Sequence, residues 1–300
     1  MGSGSSSPTS SGQSELLQLL QPQFPDQTLS LLPTQSYRSK IFQLEPSGLI
    51  LKYRAGGCAD EARILSWLSS HQFPSPPLIG IGPDWILMGK LPGELQDPGN
   101  HRTYRSLGKL LGRLNALPGP FPEVESMTIE GCHAWADFCI ESTQFLGLSA
   151  QIRSALEPIY QAKTLGPTGL IHNGPFWKNV LAGPGGQVTA LIDWEYALVG
   201  PHDHQIGTTL AFLAHPGMPV TQEQVRRRQL LFLEGYGAPE TDLLRSFQVL
   251  RLLDSLAKGY RSVVYAPGEH LCPQGEPQSR EDYQRLTRIQ AELGLRMVLQ

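Results

Sequence analysis

The chain has 300 residues, 40% of them hydrophobic, and a formal net charge of −3 at pH 7. That length suits one large domain or two lobes with a buried core, and the near-neutral balance gives no reason to expect nucleic acid or an anionic membrane as partner. Cys58, Cys132, Cys139 and Cys272 are scattered without a C-x-x-C pair, so they read as reduced thiols of a cytoplasmic protein, and no apolar run approaches the roughly 18 residues of a membrane span.

Residues 1–14 are rich in Gly and Ser and lack the apolar core and positive charge of a signal peptide; they read as a flexible tail. Glu15 to Gln21 has the spacing of a short amphipathic helix. Leu29–Leu32, Lys40–Leu44 and Leu49–Tyr53 read as three strands separated by turn signals. From Asp60 to Ser70 the apolar residues Ala62, Ile64, Leu65, Trp67 and Leu68 fall at helical spacing. A Pro-rich connection, Phe73 to Pro77, leads to Trp85-Ile86-Leu87-Met88, a short buried strand closed by Leu91-Pro92-Gly93.

Beyond Arg102 the pattern turns helical: 104–117, 135–145 and 151–162 are expected helices, followed by 204–215, 221–235, 240–264 and 279–299. Residues 168–194 interrupt them as two short strands around the turn Gly183-Pro184-Gly185-Gly186. The Pro- and Gly-rich stretch 266–278 reads as a surface loop, and no internal repeat is visible. The expected plan is α+β: a strand-rich lobe over 15–90, a connector near Gly89 to Gly93, and a helical lobe over 91–300.

The most informative segment is 170–197. It reads Leu-Ile-His-Asn-Gly-Pro-Phe-Trp-Lys-Asn-Val-Leu, a Gly-rich turn, then Ala-Leu-Ile-Asp-Trp-Glu-Tyr-Ala. Kinases place a catalytic Asp in a His-x-Asp-x-x-x-x-Asn loop and a metal-binding Asp downstream. His172, Asn179 and Asp193 fit that frame, but the catalytic position holds Gly174.

These residues resemble the aminoglycoside phosphotransferase and choline kinase-like family, which has a bilobal protein kinase-like fold. The resemblance covers about residues 25–265 and includes Trp85 to Gly93 and Leu107-Gly108 to Leu117. It implies ATP and Mg²⁺ as cofactors, held between the lobes, and a hydroxyl of a small molecule as acceptor. Lys52 is then the lysine on the α- and β-phosphates, a compact charge suited to that work, and Glu61 its orienting partner. Arg54 competes with Lys52 for the phosphate contact. Met88 and Lys90 fall on the linker strand that faces adenine. Asp193 and Asn179 become the metal ligands, and His172 a support for the loop backbone. Gln205 stands where the family often carries an Asp, with Asp203 two residues away. The loop between the first two strands, Leu32 to Lys40, contains no glycine, whereas backbone amides approach phosphates most closely through glycine.

Gly174 opens two readings. In the first the protein is a weak small-molecule kinase, because a positioned general base typically contributes about 10²- to 10⁴-fold. In the second it is an inactive kinase-like protein that binds nucleotide, a metabolite or a protein partner. A convergence of Glu195, Asp203, Glu234 and Asp254 on one pocket would indicate a cationic acceptor.

Overall fold

The computed structural model describes residues 17–32, 39–96, 100–144, 147–175, 177–214, 221–237, 241–265 and 298. The expected tail 1–14, residues 33–38 of the glycine-free loop, the Pro- and Gly-rich stretch 266–278 and, except for residue 298, the helix expected over 279–299 lie outside them. The chain divides into two compact units, Met1–Leu91 and Pro92–Gln300.

The first unit is built on an antiparallel sheet of β1 (Thr28–Leu31), β2 (Lys40–Glu45), β3 (Ile50–Tyr53), β4 (Leu78–Ile81) and β5 (Trp85–Met88), in the order β1-β2-β3-β5-β4. Alternation turns Phe42 and Leu44 of β2 toward Leu20, Leu29, Leu51 and Leu87, and these form the core of the unit. Leu20 ends a helical turn over 17–20, so the helix expected at 15–21 is present in its described part. Helix α1 (Ala59–Ser70) buries Ala62, Ile64, Leu65 and Leu68, the expected apolar stripe. Strand β4 was not expected. Its Leu-Ile-Gly-Ile sequence is short and contains a glycine, and as an edge strand it leaves Ile79 and Ile81 exposed.

The second unit is mostly helical: α2 (His101–Asn115), α3 (Ile129–Ser142), α4 (Ser149–Gln161), α5 (His202–Leu213), α6 (Gln222–Tyr236) and α7 (Asp242–Tyr265). Cys132, Ala136, Cys139, Ile140, Ile152, Leu156, Phe247, Leu250 and Leu253 pack α3, α4 and α7 together. Helices α2 and α6 cross with their backbones in contact. A Cβ added at Gly108 would lie 2.1 Å from the Phe232 carbonyl oxygen, and one at Gly235 would lie 2.1 Å from that of Arg105. No side chain larger than hydrogen fits either position without moving a helix. Helix α6 carries a capping box, in which Thr221 accepts from the Gln224 N–H and the Gln224 side chain accepts from Thr221 N, and it ends on Gly237 at φ 80°.

Helix α3 begins about six residues before the sequence expectation of 135. Thr128 caps it, its hydroxyl accepting from Gly131 N at 3.1 Å, and such a cap is worth about 1 kcal/mol. Gly131 in the first turn hides that start in the sequence.

Segment 168–201 departs from the two-strand expectation. β8 (Val180–Ala182) and β9 (Val188–Leu191) form the expected hairpin around 183–186, joined by a two-residue strand β6 (Glu94–Leu95). β7 (Thr168–Ile171) pairs instead with β10 (Leu198–Pro201), a separate two-stranded sheet. The β10 sequence Leu-Val-Gly-Pro combines a glycine with a strand-breaking proline, so the pairing is not evident from local pattern. Among the described residues no helix is long and apolar enough to cross a membrane.

Candidate active site

In the first unit Lys52 lies on the central strand, opposite Ile41 on one side and Ile86 on the other. Its ammonium is 2.8 Å from a Glu61 carboxylate oxygen, and the two side chains are 3% and 2% exposed. Glu61 is in the first turn of α1, where a carboxylate also suits the helix dipole. A buried pair of this kind is strongly coupled, because neither charge has water as an alternative partner. Arg54, the competing candidate, is tied to the turn after β3: its Nε donates to Gly57 O at 2.7 Å and its N–H to Asp84 O at 2.8 Å.

Met88 is buried at the end of β5. The next amide, Gly89 N–H, donates to Pro77 O at 2.9 Å, and Lys90 Nζ reaches Gln43 Oε1 at 3.4 Å on the exposed side.

In the second unit β7 delivers His172, and two hydrogen bonds clamp it. Its backbone N–H donates to Gln205 Oε1 at 2.7 Å, and its ring Nε2–H donates to the Ile192 carbonyl at 2.9 Å. The ring also packs on Trp194, with centroids 4.5 Å apart. His172 therefore ties the loop to the residue after β9 and to Gln205 of α5. Gln205, fully buried in α5, holds the loop backbone from below, and its Nε2 has no hydrogen-bond partner among the described residues.

Asn179 closes a short 3₁₀ turn, Trp177–Asn179. Its side-chain Nδ2 donates to Gly174 O at 2.9 Å, and its own carbonyl accepts from Ile192 N at 3.0 Å. Asn179 thus touches Gly174 on one side and the residue before Asp193 on the other. Asn173 and Asp193 both sit in the left-handed region, at φ 57° and 65°, which Asn and Asp tolerate better than other side chains. Gly174 is buried with an ordinary φ. A Cβ added there would have Asn179 Nδ2 at 3.7 Å and His172 Nδ1 at 3.8 Å as its nearest neighbours, both normal van der Waals contacts. The backbone therefore accepts a side chain at this position. Lys178 lies over the Trp177 ring, 5.0 Å from its centroid, and burial holds its ammonium below the usual lysine pKa.

Of the four acidic residues whose convergence would indicate a cationic acceptor, Glu234, Asp203 and Asp254 have other partners. Glu234 pairs with Arg105 at 2.6 Å on the surface. Asp203 accepts from Thr241 Oγ1 at 2.9 Å. Asp254 pairs with Arg251 at 3.1 Å and accepts from Trp135 Nε1, also at 3.1 Å. His202 and His204 belong to no group of three metal-ligating side chains among the described residues.

The sequence reading missed a cavity of about 290 Å³ next to the loop. Asn173, Trp135, His204, Arg251 and Asp254 line it, with Glu125 among its other wall residues. These residues come from four separate segments, so no local signal could have found it.

A model of the phosphotransferase enzyme family matches residues 31–247. No curated protein matches the chain by sequence. Among solved structures, the macrolide 2'-phosphotransferase MphH of Brachybacterium faecium is 17% identical, with TM-score 0.61 over 93% of this chain and 97% of that one. A thermostable mutant of aminoglycoside phosphotransferase APH(4)-Ia, in ternary complex with ADP and hygromycin B, is 18% identical, with TM-score 0.64 over 94% and 98%. The GDP and kanamycin complex of APH(2")-IIIa is 15% identical, with TM-score 0.66 over 93% and 98%. At such identities the likeness speaks for the fold, which is the α+β kinase-like fold.

Proposed function

The chain belongs to the phosphotransferase enzyme family, and from that premise we propose that it binds ATP with Mg²⁺ and transfers the γ-phosphoryl group slowly to a hydroxyl of a small molecule. The observation that carries this reading is the chain of contacts Gly174–Asn179–Ile192, which sets Asn179 beside the turn that presents Asp193. The nucleotides named with two of the structural neighbours, ADP and GDP, support a nucleotide ligand here.

The donor set fits a hard divalent cation, which takes oxygen ligands. Asp193 offers a partly exposed carboxylate. Asn179 has its amide nitrogen engaged by Gly174 O, which leaves the oxygen end for a cation. When bound there, Mg²⁺ would neutralise charge on the phosphate oxygens. In the first unit Lys52, held by Glu61, would contact the α- and β-phosphates. The backbone between Met88 and Lys90 would face the adenine ring. His172 and Gln205 keep the loop in register.

In the reaction the acceptor oxygen bonds to the γ-phosphorus as the bond to the β-γ bridging oxygen breaks, releasing ADP. With no carboxylate at position 174, the hydroxyl proton leaves to solvent. Positioning and charge neutralisation carry most of phosphoryl transfer, so the missing base lowers the rate by about 10²- to 10⁴-fold without abolishing it. That is roughly 3–5 kcal/mol of barrier. A cytoplasmic setting is consistent with the buried thiols Cys58, Cys132 and Cys139.

A second reading, a binding protein without turnover, is favoured by Gly174, by Gln205 where the family often carries an Asp, and by the glycine-free loop between the first two strands. Calorimetric titration with ATP, with and without Mg²⁺, tests the nucleotide part of the proposal. Metal-dependent binding supports it. Absence of binding up to millimolar ATP would remove both the kinase reading and the nucleotide-sensor form of the second.

A further inference from the structure

The cavity beside the loop carries chemistry that the nucleotide assignments do not use. Asn173, the residue bonded to Gly174, lies in its wall. A small molecule seated there is next to the catalytic position. Taking the phosphotransferase reading as its basis, we propose that this cavity receives the acceptor, and that the acceptor is an uncharged, hydroxylated ring compound of about monosaccharide size.

Size is the first argument. At about 290 Å³ the cavity sits at the small end of the roughly 300–1,000 Å³ typical of ligand pockets. One sugar-sized ring fits inside it, whereas a multi-ring aminoglycoside would extend out through its open side.

Charge is the second. Polycationic acceptors require carboxylates with spare valence. The one buried carboxylate in the wall, Asp254, already holds Arg251 and the Trp135 indole. Arg251 adds a positive charge to the same wall, stacked 5.0 Å over Phe212. Asp203 and Glu234 are bound elsewhere, and Glu125 is exposed. Inside the cavity a polycation would meet a guanidinium and an already paired carboxylate, with only the exposed Glu125 at the rim to offset its desolvation.

Hydrogen-bonding capacity is the third. Asn173 Oδ1 is a buried acceptor with no partner among the described residues, and both ring nitrogens of the buried His204 are likewise unmet. Burial and the nearby Arg251 charge hold the His204 pKa down, to about 3, so the ring is neutral and offers one donor and one acceptor. Unmet polar atoms of this kind are costly in a folded protein. A polyol matches them, because each hydroxyl both donates and accepts. The Trp135 ring, edge-on to His204 with centroids 5.4 Å apart, supplies an apolar wall for the C–H face of a sugar ring.

The test uses the full chain with saturation-transfer NMR and calorimetry. The probes are methyl α-glucoside and myo-inositol, both uncharged, and kanamycin as the polycation. The proposal expects at least one uncharged probe to bind and kanamycin to bind more weakly. It expects Trp135→Ala to weaken that probe about tenfold. His204→Phe, which keeps a ring against Trp135 and Phe247 but removes both nitrogens, should weaken it as well. Trp135-dependent binding of kanamycin in preference to both neutral probes would overturn the acceptor class. Binding of no probe, or binding indifferent to both substitutions, would overturn the cavity as the acceptor site. Each of those results leaves the Mg-ATP titration untouched, so failure here is distinguishable from failure of the phosphotransferase reading.

Discussion

The Lys52 ammonium and the Glu61 carboxylate form a 2.8 Å ion pair in which neither side chain is more than 3% exposed. Breaking a buried pair by removing one partner costs about 3–5 kcal/mol. Lys52→Met and Glu61→Leu are each expected to destabilise the first unit by that amount in urea denaturation. The double variant should recover much of the loss, because a well-packed apolar pair of similar volume is often neutral. It should not recover Mg-ATP affinity. A double variant that binds Mg-ATP like the native chain would show that Lys52 has only a structural role.

Asp193 separates metal binding from folding. At φ 65° an alanine there adds backbone strain, whereas Asn tolerates the left-handed region. Asp193→Asn is therefore expected to keep the native melting temperature and to lose the Mg²⁺ dependence of ATP binding, read by calorimetry. Retained Mg²⁺ dependence in a folded Asp193→Asn protein rules out this residue as a ligand.

Gln205 is the acceptor for the buried His172 N–H. Gln205→Leu leaves that donor unmet, which costs about 1–3 kcal/mol. The expected readouts are a lower denaturation midpoint and faster hydrogen exchange at His172. An unchanged midpoint would mean that the loop is held by its other contacts, Nε2 to Ile192 O above all.

Part of this arrangement was legible in the sequence. The frame His172–Asn179–Asp193 shows in motif order and the strand Trp85–Met88 in its apolar run, whereas Lys52 and Glu61 stood out only through the family resemblance. The misses share a different cause. β4 and β10 are short strands containing Gly or Pro, and their pairing is decided by the sheet edge and by β7 respectively. The start of α3 was hidden by Gly131 in its first turn. Of the acidic residues named as available for an acceptor pocket, Glu234 is held by Arg105, Asp203 by Thr241 and Asp254 by the Trp135 indole as well as by Arg251 one turn away on its own helix. The contacts Arg105–Glu234 and Trp135–Asp254 join residues more than a hundred positions apart and leave no local trace.

His204 gives the stability curve a predictable acid limb. Burial first, and the Arg251 charge second, lower its pKa from 6.5 to about 3. Between those values the unfolded chain binds a proton that the folded chain does not, so stability rises with pH through that window and is complete above about 6.5. The slope from this group is at most about 1.4 kcal/mol per pH unit. His202, lowered mainly by burial, adds in the same direction. Denaturation at pH 4 and pH 7 should show the native chain losing stability in acid, and His204→Phe losing less. Equal losses in both proteins would mean that His204 does not titrate as its burial requires.

We propose that the missing carboxylate at position 174 is what limits phosphoryl transfer. Gly174→Asp probes this directly, because an added Cβ has its nearest neighbours at 3.7 and 3.8 Å, Asn179 and His172. The measurement is Mg²⁺-dependent ATP turnover of the native and Gly174→Asp proteins, with circular dichroism to check the fold. The expected result is a rise of about 10²- to 10⁴-fold. An unchanged rate in a folded Gly174→Asp protein that still binds Mg-ATP would contradict it.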